Sequence, residues 1–251
     1  MHDGGEAFAR RAAAIAEEAY SRLVPFFGAG PGNDVVEIVC DNSIDGANGL
    51  TQAQPFDAIR LFAFSPESDT DLARYDDWLR LLIYHELTHT LHLNHAGLLF
   101  DIVNSVFGKS WLPNNVLPQW FIEGLAVYAE SHFTGGGRAR GADFERLLRV
   151  GALEGTLPDS IGGLTSNPIM PPGGTWAYVF GGDFLTWLAE RHGDAAIARF
   201  VDEYGRHVPL SLNIVAKRVF KGDFPTLFSA WREQRLIAAQ VLVGERQRLG
   251  L

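Results

Sequence analysis

The sequence predicts an α+β fold, with a small mixed β-sheet and helices in the N-terminal half and a mostly α-helical C-terminal half. Residues 58–64 alternate between two unlike faces as a strand does, whereas the segments after residue 76 repeat apolar residues at helical spacing. With 47% hydrophobic residues in 251, the chain can build one core or two closely packed ones. We therefore predict a single domain over 1–251, divided into an α/β part at 1–110 and a helical part at 111–251.

The first predicted elements are one helix and two strands. Apolar residues recur at helical spacing from Phe8 to Leu23, and the stretch FFGAGPGN ends that helix with glycine and proline. The run VVEIVC at 35–40 predicts a strand, and the run AIRLFAF at 58–64 predicts another. Cys40 is the single cysteine of the chain, which excludes an internal disulfide bond and a cysteine-based metal site.

Helices dominate the remainder of the prediction. A leucine-rich helix is predicted from about Asp76 to Asn94. Further helical periodicity lies at about 118–132, 141–152, 175–192, 194–206 and 224–245. The loops FTGGGRARG and GGLTSNPIMPPGG lie between these segments. We expect the loops to border a cleft rather than to separate domains.

Charge and hydropathy exclude two classes of partner. The chain has 21 Lys+Arg residues against 30 Asp+Glu, a formal net charge of -9, which is the wrong sign for a surface that binds nucleic-acid phosphates. No stretch approaches the roughly 18 uncharged apolar residues of a membrane span. The first residues lack the apolar run of a signal peptide. We expect neither nucleic-acid binding nor a membrane-spanning segment.

Four of the eight histidines lie in YHELTHTLHLNH, residues 84–95. On a helix, His89 lies about 40° round from His85 and about 6 Å further along the axis, so both imidazoles can bind one metal ion. Glu86 projects beside that ion, where its carboxylate can take a proton from activated water. His92 lies about 10.5 Å along the axis from His85, too far to share the ion. We expect His92 to support a ligand or to pack.

Two residues are candidates for the third metal ligand. His95 gives the ligand spacing of the metzincin peptidases, with Met170 as the candidate for their Met-turn, but that pattern needs glycine at position 92. Glu123 lies on an otherwise apolar helical face in PQWFIEGLAVYAES, residues 118–131, where an unpaired carboxylate is costly to bury. Zinc would supply the missing cation and complete a two-His, one-Glu site. A salt bridge from Glu123 to an arginine is the alternative.

These motifs resemble those of the gluzincin zinc metallopeptidases. HELTH followed by WFIEGLAVYAE is similar to the clan of the zinc aminopeptidases and leukotriene A4 hydrolase, where a W-x-x-E-G-[FL]-A-x-Y-x-E helix supplies the third ligand. The matching residues are Trp120, Glu123, Gly124, Ala126, Tyr128 and Glu130. The block WAYVFGGDFLTWL resembles the family's Y-x-x-G helix through Tyr178 and Gly181. Residues 8–205 are also similar to bacterial peptidase-MA-like domains, which often precede a TolB-like β-propeller in exported proteins.

The resemblance implies a zincin-like fold with a zinc cleft between the two halves, and a zinc metallopeptidase acting on a peptide or protein substrate. In such an enzyme His85, His89 and Glu123 hold Zn²⁺. Glu86 is then the catalytic base, and the Tyr178 hydroxyl hydrogen-bonds the oxyanion. The resemblance also favours an extracytoplasmic location and a C-terminal β-propeller in a longer parent protein.

Two departures from the family narrow the expected activity. The aminopeptidases carry a G-x-M-E-N segment whose glutamate binds the free amino group of the substrate, whereas RLFAFSPES here offers only Glu67. An endopeptidase is therefore favoured over an aminopeptidase, and a catalytically silent zinc-binding interaction domain is the third possibility. The longer spacing from His89 to Glu123 makes LLFDIVNSVFGKSWLPNN an insertion, which we expect to form a lip or lid. We expect an extended peptide to pair with strand 58–64.

Two more residues of the segment 118–131 have roles that the sequence leaves open. Glu130, seven residues after Glu123, either orients a metal ligand through a hydrogen bond or is a solvated carboxylate at the helix end. Tyr128 is expected to pack rather than to take part in catalysis.

Overall fold

The computed structural model describes residues 5–28, 36–43, 46–68, 70–165, 173–207 and 211–249. The α-helices of these residues are α1 Glu6–Phe27, α2 Trp78–Leu93, α3 Leu98–Phe107, α4 Gln119–Thr134, α5 Ala142–Leu153, α6 Trp176–His192, α7 Asp194–Gly205, α8 Leu212–Phe220 and α9 Phe224–Arg248. The strands are β1 Glu37–Asp41, β2 Gly49–Gln52 and β3 Ala58–Phe62. Short 3₁₀ turns, among them Asp71–Arg74 and Arg138–Arg140, lie between them.

The α+β fold class predicted from the sequence is wrong. The described residues are 70% helical, the strands hold only 5, 4 and 5 residues, and no zincin fold is identified. The apolar runs that predicted strands are short, so helices supply most of the core. Even in the N-terminal half, helices α1, with 22 residues, and α2, with 16, each contain more residues than the whole sheet. No helix of the described residues is both long enough and apolar enough to cross a lipid bilayer.

The small sheet has the strand order β1-β3-β2. β1 runs parallel to β3, with Ile38 opposite Ile59, and β2 runs antiparallel to β3, with Thr51 opposite Ile59. Both edges of β3 are therefore paired, so the expectation that a peptide pairs with strand 58–64 is wrong. Within the described residues, the outer edge of β2 pairs with no strand.

α2 forms the buried centre of the protein. Every residue from Leu81 to His92 is buried, and a helix that is buried all round belongs to the core. α1, α4 and strand β2 pack around α2. At the start of α2, the Asp77 carboxylate accepts a hydrogen bond from the backbone N–H of Arg80, which satisfies one free donor of the first turn. The side chains of α2 therefore project from a well-anchored helix.

α4 and α6 pack in close contact because two glycines face each other. A Cβ at Gly124 would lie 2.5 Å from the carbonyl carbon of Gly181, and a Cβ at Gly181 would overlap the carbonyl oxygen of Trp120. The two backbones therefore approach more closely than side chains would allow. This contact places Tyr178 of α6 and Glu123 of α4 around the same cleft.

The insertion between the two motifs does not form the expected lip or lid. Its helix α3 exposes five apolar side chains, namely Leu98, Leu99, Ile102, Val106 and Phe107. Lys109 anchors the segment through its Nζ atom, which lies 2.6 Å from the carboxylate of the buried Asp57. No residue of 98–117 lines the cleft formed by the described residues around His85.

Gly124→Ala is expected to lower the free energy of unfolding by about 1–3 kcal/mol, because the added Cβ must displace the backbone of α6. Gly244→Ala is the matched control, since a Cβ at this glycine of α9 meets no atom within 4 Å. There, alanine is expected to raise the stability by about 0.5–1 kcal/mol. Urea unfolding followed by circular dichroism measures both variants, and equal effects would contradict the close α4–α6 contact.

Candidate metal centre

Two histidines of α2 and one glutamate of α4 converge in a cleft. The Nε2 atoms of His85 and His89 lie 3.2 Å apart, and Oε2 of Glu123 lies 3.3 Å from each of them. Three ligand atoms bonded to one tetrahedral zinc ion at about 2.0–2.1 Å lie roughly 3.3–3.4 Å from one another. The observed separations therefore fit a shared zinc ion.

The Glu123 carboxylate makes its contacts with the histidine pair. Burial acts to raise the pKa of Glu123, but hydrogen bonds from His85 and His89 outweigh it and hold the pKa well below its usual range. Among the described residues, the salt bridges of Glu123 are with these two histidines and not with an arginine. The alternative of a Glu123–arginine salt bridge is therefore not observed, and the ionised carboxylate faces the imidazoles.

A buried ion pair supports His85 from the side opposite the cluster. Oε2 of the fully buried Glu130 lies 3.1 Å from Nδ1 of His85. Arg138 donates to Glu130 from Nε at 2.9 Å, Nη2 at 2.7 Å and its backbone N–H at 3.0 Å. Burial acts to raise the pKa of Glu130, but the charge of Arg138 outweighs it and lowers the pKa to about 2. Of the two roles predicted for Glu130, the solvated carboxylate at the helix end is therefore wrong.

The sequence did not identify Arg138. This residue follows Gly137, where φ is 85° and a Cβ would lie 2.6 Å from Cα of Ser131, so only glycine permits the turn. The available signal was indirect: a carboxylate at position 130 in an apolar helix needs a cation, and the glycine-rich loop that follows carries arginines. Nη2 of Arg138 also lies 2.6 Å from Nδ1 of His85, so Arg138 and Glu130 together contact this ring nitrogen on the side opposite the cluster and orient the ring.

Both predicted catalytic residues line the same cleft. Glu86 is 5% exposed, and its Oε2 accepts a hydrogen bond from the Thr51 hydroxyl at 2.7 Å. The Tyr178 ring stacks on the His85 ring with centroids 5.9 Å apart, and the Arg138 guanidinium lies 5.2 Å from the centre of the Tyr178 ring. Burial raises the pKa of Tyr178 above its ordinary value, so its hydroxyl keeps the proton and remains a donor at neutral pH.

The cleft combines this polar cluster with an apolar wall. It has a volume of about 360 Å³. Its polar side chains include His85, Glu86, His89, Glu123, Arg138 and Tyr178. Leu50, Leu72 and Ile122 are among its apolar ones. Tyr128 lies outside the lining, and its hydroxyl donates to Asp194 at 2.6 Å, in agreement with the expected packing role.

The other histidines of the motif lie outside the cluster. Nδ1 of the fully buried His92 donates to the carbonyl oxygen of Thr88 at 2.9 Å, and burial lowers the pKa of His92 to about 3. His95 lies beyond the end of α2, where its Nε2 contacts Asp202 at 2.7 Å. His95 is therefore not placed as the third ligand. Met170, the candidate for a Met-turn, lies outside the described residues.

Comparison of the chain with protein-family models, with curated proteins and with solved structures gave no match in any of the three. The resemblance to gluzincin peptidases therefore depends on the motif residues alone. The function is inferred from the chemistry of the cleft.

Glu130 is expected to make the fold sensitive to acid. Its pKa falls from an ordinary value of 4.5 to about 2 in the folded protein, so its stabilisation is complete above about pH 5 and is lost as the pH falls towards 2. Glu130→Gln should flatten the pH dependence of the free energy of unfolding in this range. Urea unfolding at several pH values measures the slope, with the exposed Glu190→Gln as control. An unchanged slope in Glu130→Gln would contradict the assignment.

Proposed function

We propose that this protein is a zinc-dependent metallopeptidase, with hydrolysis of internal peptide bonds as the favoured activity. The proposal is carried by the convergence of His85 Nε2, His89 Nε2 and Glu123 Oε2 at separations of 3.2 and 3.3 Å. The same cleft holds Glu86 and Tyr178. The motif resemblance to gluzincin peptidases supports the same activity.

Each polar side chain of the cleft has a separate role in the proposed reaction. Zinc, when bound, supplies a Lewis acid that activates water and polarises the carbonyl of the substrate. The Glu86 carboxylate accepts a proton from the attacking water and passes it to the leaving amine. The Tyr178 hydroxyl donates a hydrogen bond to the oxyanion, typically worth about 3–4 kcal/mol for one well-placed donor. Glu130, held by Arg138, fixes the orientation of the His85 ring.

Strand β2 is the element on which we expect the substrate to pair. Gly49, Leu50 and Thr51 line the cleft, and the outer edge of β2 pairs with no strand in the described residues. An extended peptide can add to such an edge through backbone hydrogen bonds. The apolar side chains of Leu50, Leu72 and Ile122 favour an apolar substrate residue near the scissile bond.

A catalytically silent zinc module fits the cleft less well. Structural zinc sites are usually closed by four protein ligands, whereas three described side chains, His85, His89 and Glu123, form this group. A structural site also has no use for a second carboxylate, Glu86, in the same cleft. The open fourth position therefore favours an enzyme.

The purified protein is expected to bind about one zinc ion and to hydrolyse a fluorescently labelled unfolded protein. His85→Ala should lose both zinc and activity, whereas Glu86→Gln should keep zinc and lose activity by about 10²–10⁴-fold, the usual contribution of a general base. His132→Ala, an exposed histidine of α4, is the control and should change neither. Zinc is measured by atomic absorption. Zinc retained by His85→Ala, or activity retained by Glu86→Gln, would overturn the proposal.

An aminopeptidase remains the second candidate because Asp71 lines the cleft. Glu67, the nearest counterpart of an amine-binding glutamate, is exposed and does not line the cleft. Asp71 does line it and is the carboxylate that would bind a free amino group. We expect N-acetylated and free peptides to be cleaved at similar rates. A strict need for the free amine, abolished by Asp71→Asn, would select the aminopeptidase instead.

A further inference from the structure

Two residues on one face of β2 contact the side chain of Glu86. The Thr51 hydroxyl oxygen lies 2.7 Å from Oε2 of Glu86 and 2.9 Å from its carbonyl oxygen. Gly49, two residues earlier and on the same face of the strand, approaches so closely that a Cβ would lie 2.7 Å from Cγ and Oε1 of Glu86. Thr51 therefore binds one oxygen of this carboxylate, and the other oxygen lies close to where a side chain at position 49 would be.

The hydrogen bond from Thr51 constrains a side chain that is otherwise loosely specified. The last torsion of a glutamate has a broad, roughly two-fold distribution, so packing alone defines the plane of the carboxylate poorly. A hydroxyl has one proton to give, and a carboxylate oxygen is a stronger acceptor than a peptide carbonyl. Among the described residues, the Thr51 hydroxyl is the hydrogen-bond donor to the Glu86 carboxylate.

Gly49 leaves free the space that this side chain occupies. Oε1 and Cδ of Glu86 would lie 2.7 Å and 2.9 Å from a Cβ at position 49, distances at which one of the two groups must move. With Oε2 bound to Thr51, the carboxylate is held between a donor and a surface without a side chain. Its remaining acceptor positions stay available for a proton.

We propose that Thr51 is a positioning residue for the proton-accepting carboxylate of Glu86, and that Gly49 provides the space that this position requires. The inference rests on the proposed function, because it assigns the proton transfer to Glu86. It also gives β2 two tasks: its outer edge pairs with the substrate, while its inner face orients the base. The substrate and the base are thereby aligned by the same four residues of chain, Gly49–Gln52.

The kinetic test compares two substitutions of Thr51 in the zinc-loaded protein. Thr51→Val keeps the shape of the side chain and removes the donor. It should lower kcat by about 10- to 100-fold, the usual worth of a hydrogen bond to a charged group, with little change in KM and none in zinc content. Thr51→Ser restores the donor and should recover kcat to within about threefold of the parent protein.

Two further variants separate positioning from a general effect on the sheet. Gly49→Ala should also lower kcat, because the added Cβ displaces Glu86. Glu37→Gln changes an exposed side chain of β1, in the same sheet but outside the cleft, and should leave kcat unchanged. A Thr51→Val protein with the kcat of the parent, a Thr51→Ser protein as impaired as Thr51→Val, or a rise in KM alone would overturn the assignment.

A measurement without catalysis tests the contact itself. In the zinc-free protein, Thr51→Val should lower the midpoint of urea unfolding more in the parent background than in the Glu86→Leu background, where only the backbone carbonyl of residue 86 remains to accept from the hydroxyl. Equal shifts in the two backgrounds would overturn the contact. If the parent protein neither binds zinc nor hydrolyses peptides, the proposed function fails, while this double-mutant cycle still decides whether Thr51 holds Glu86.

Discussion

Two carboxylates on α4, the partly buried Glu123 and the fully buried Glu130, govern the arrangement of the cleft. Glu123 and Glu130 are two helical turns apart, and each needs a donor or a cation because an unpaired buried charge is costly. Arg138 satisfies Glu130 from the turn that follows the helix. Glu130 and Arg138 both contact Nδ1 of His85, while Glu123 faces the Nε2 atoms of His85 and His89. The two histidine rings are therefore oriented by two carboxylates, Glu130 at Nδ1 of His85 and Glu123 at the Nε2 atoms.

The backbones that carry these groups have little freedom to move. α2 is buried all round from Leu81 to His92, and the contact between Gly124 and Gly181 holds α6 against α4. Gly137 allows the tight turn that returns Arg138 to Glu130. Ligand and catalytic groups that project from such elements keep their mutual distances without reorganisation, which is the condition for catalysis by preorganised groups.

The sequence predicted the central cluster better than the groups around it. Histidines one turn apart and a carboxylate on an apolar helix follow from helical periodicity, which is a local property. Thr51 and Arg138 reach the cleft from a four-residue strand and a three-residue turn, so only tertiary packing reveals them. The fold class failed for the same reason. The run at 35–40 overlaps β1 and the run at 58–64 contains β3, but alternation within one strand says nothing about how many strands pair with it.

The charge around the cluster favours a divalent cation. Apart from the partly exposed Asp71, the carboxylates here belong to Glu86, Glu123 and Glu130, and Arg138 neutralises only Glu130. Metal ligands must be deprotonated, and with both imidazoles neutral two negative charges would remain, on the residues proposed to accept the proton and to bind the metal. A monovalent ion would leave one charge uncompensated in a site where Glu86 is 5% exposed. A divalent ion would offset both charges and, through its attraction for Glu86, would lower the cost of burying the proposed base.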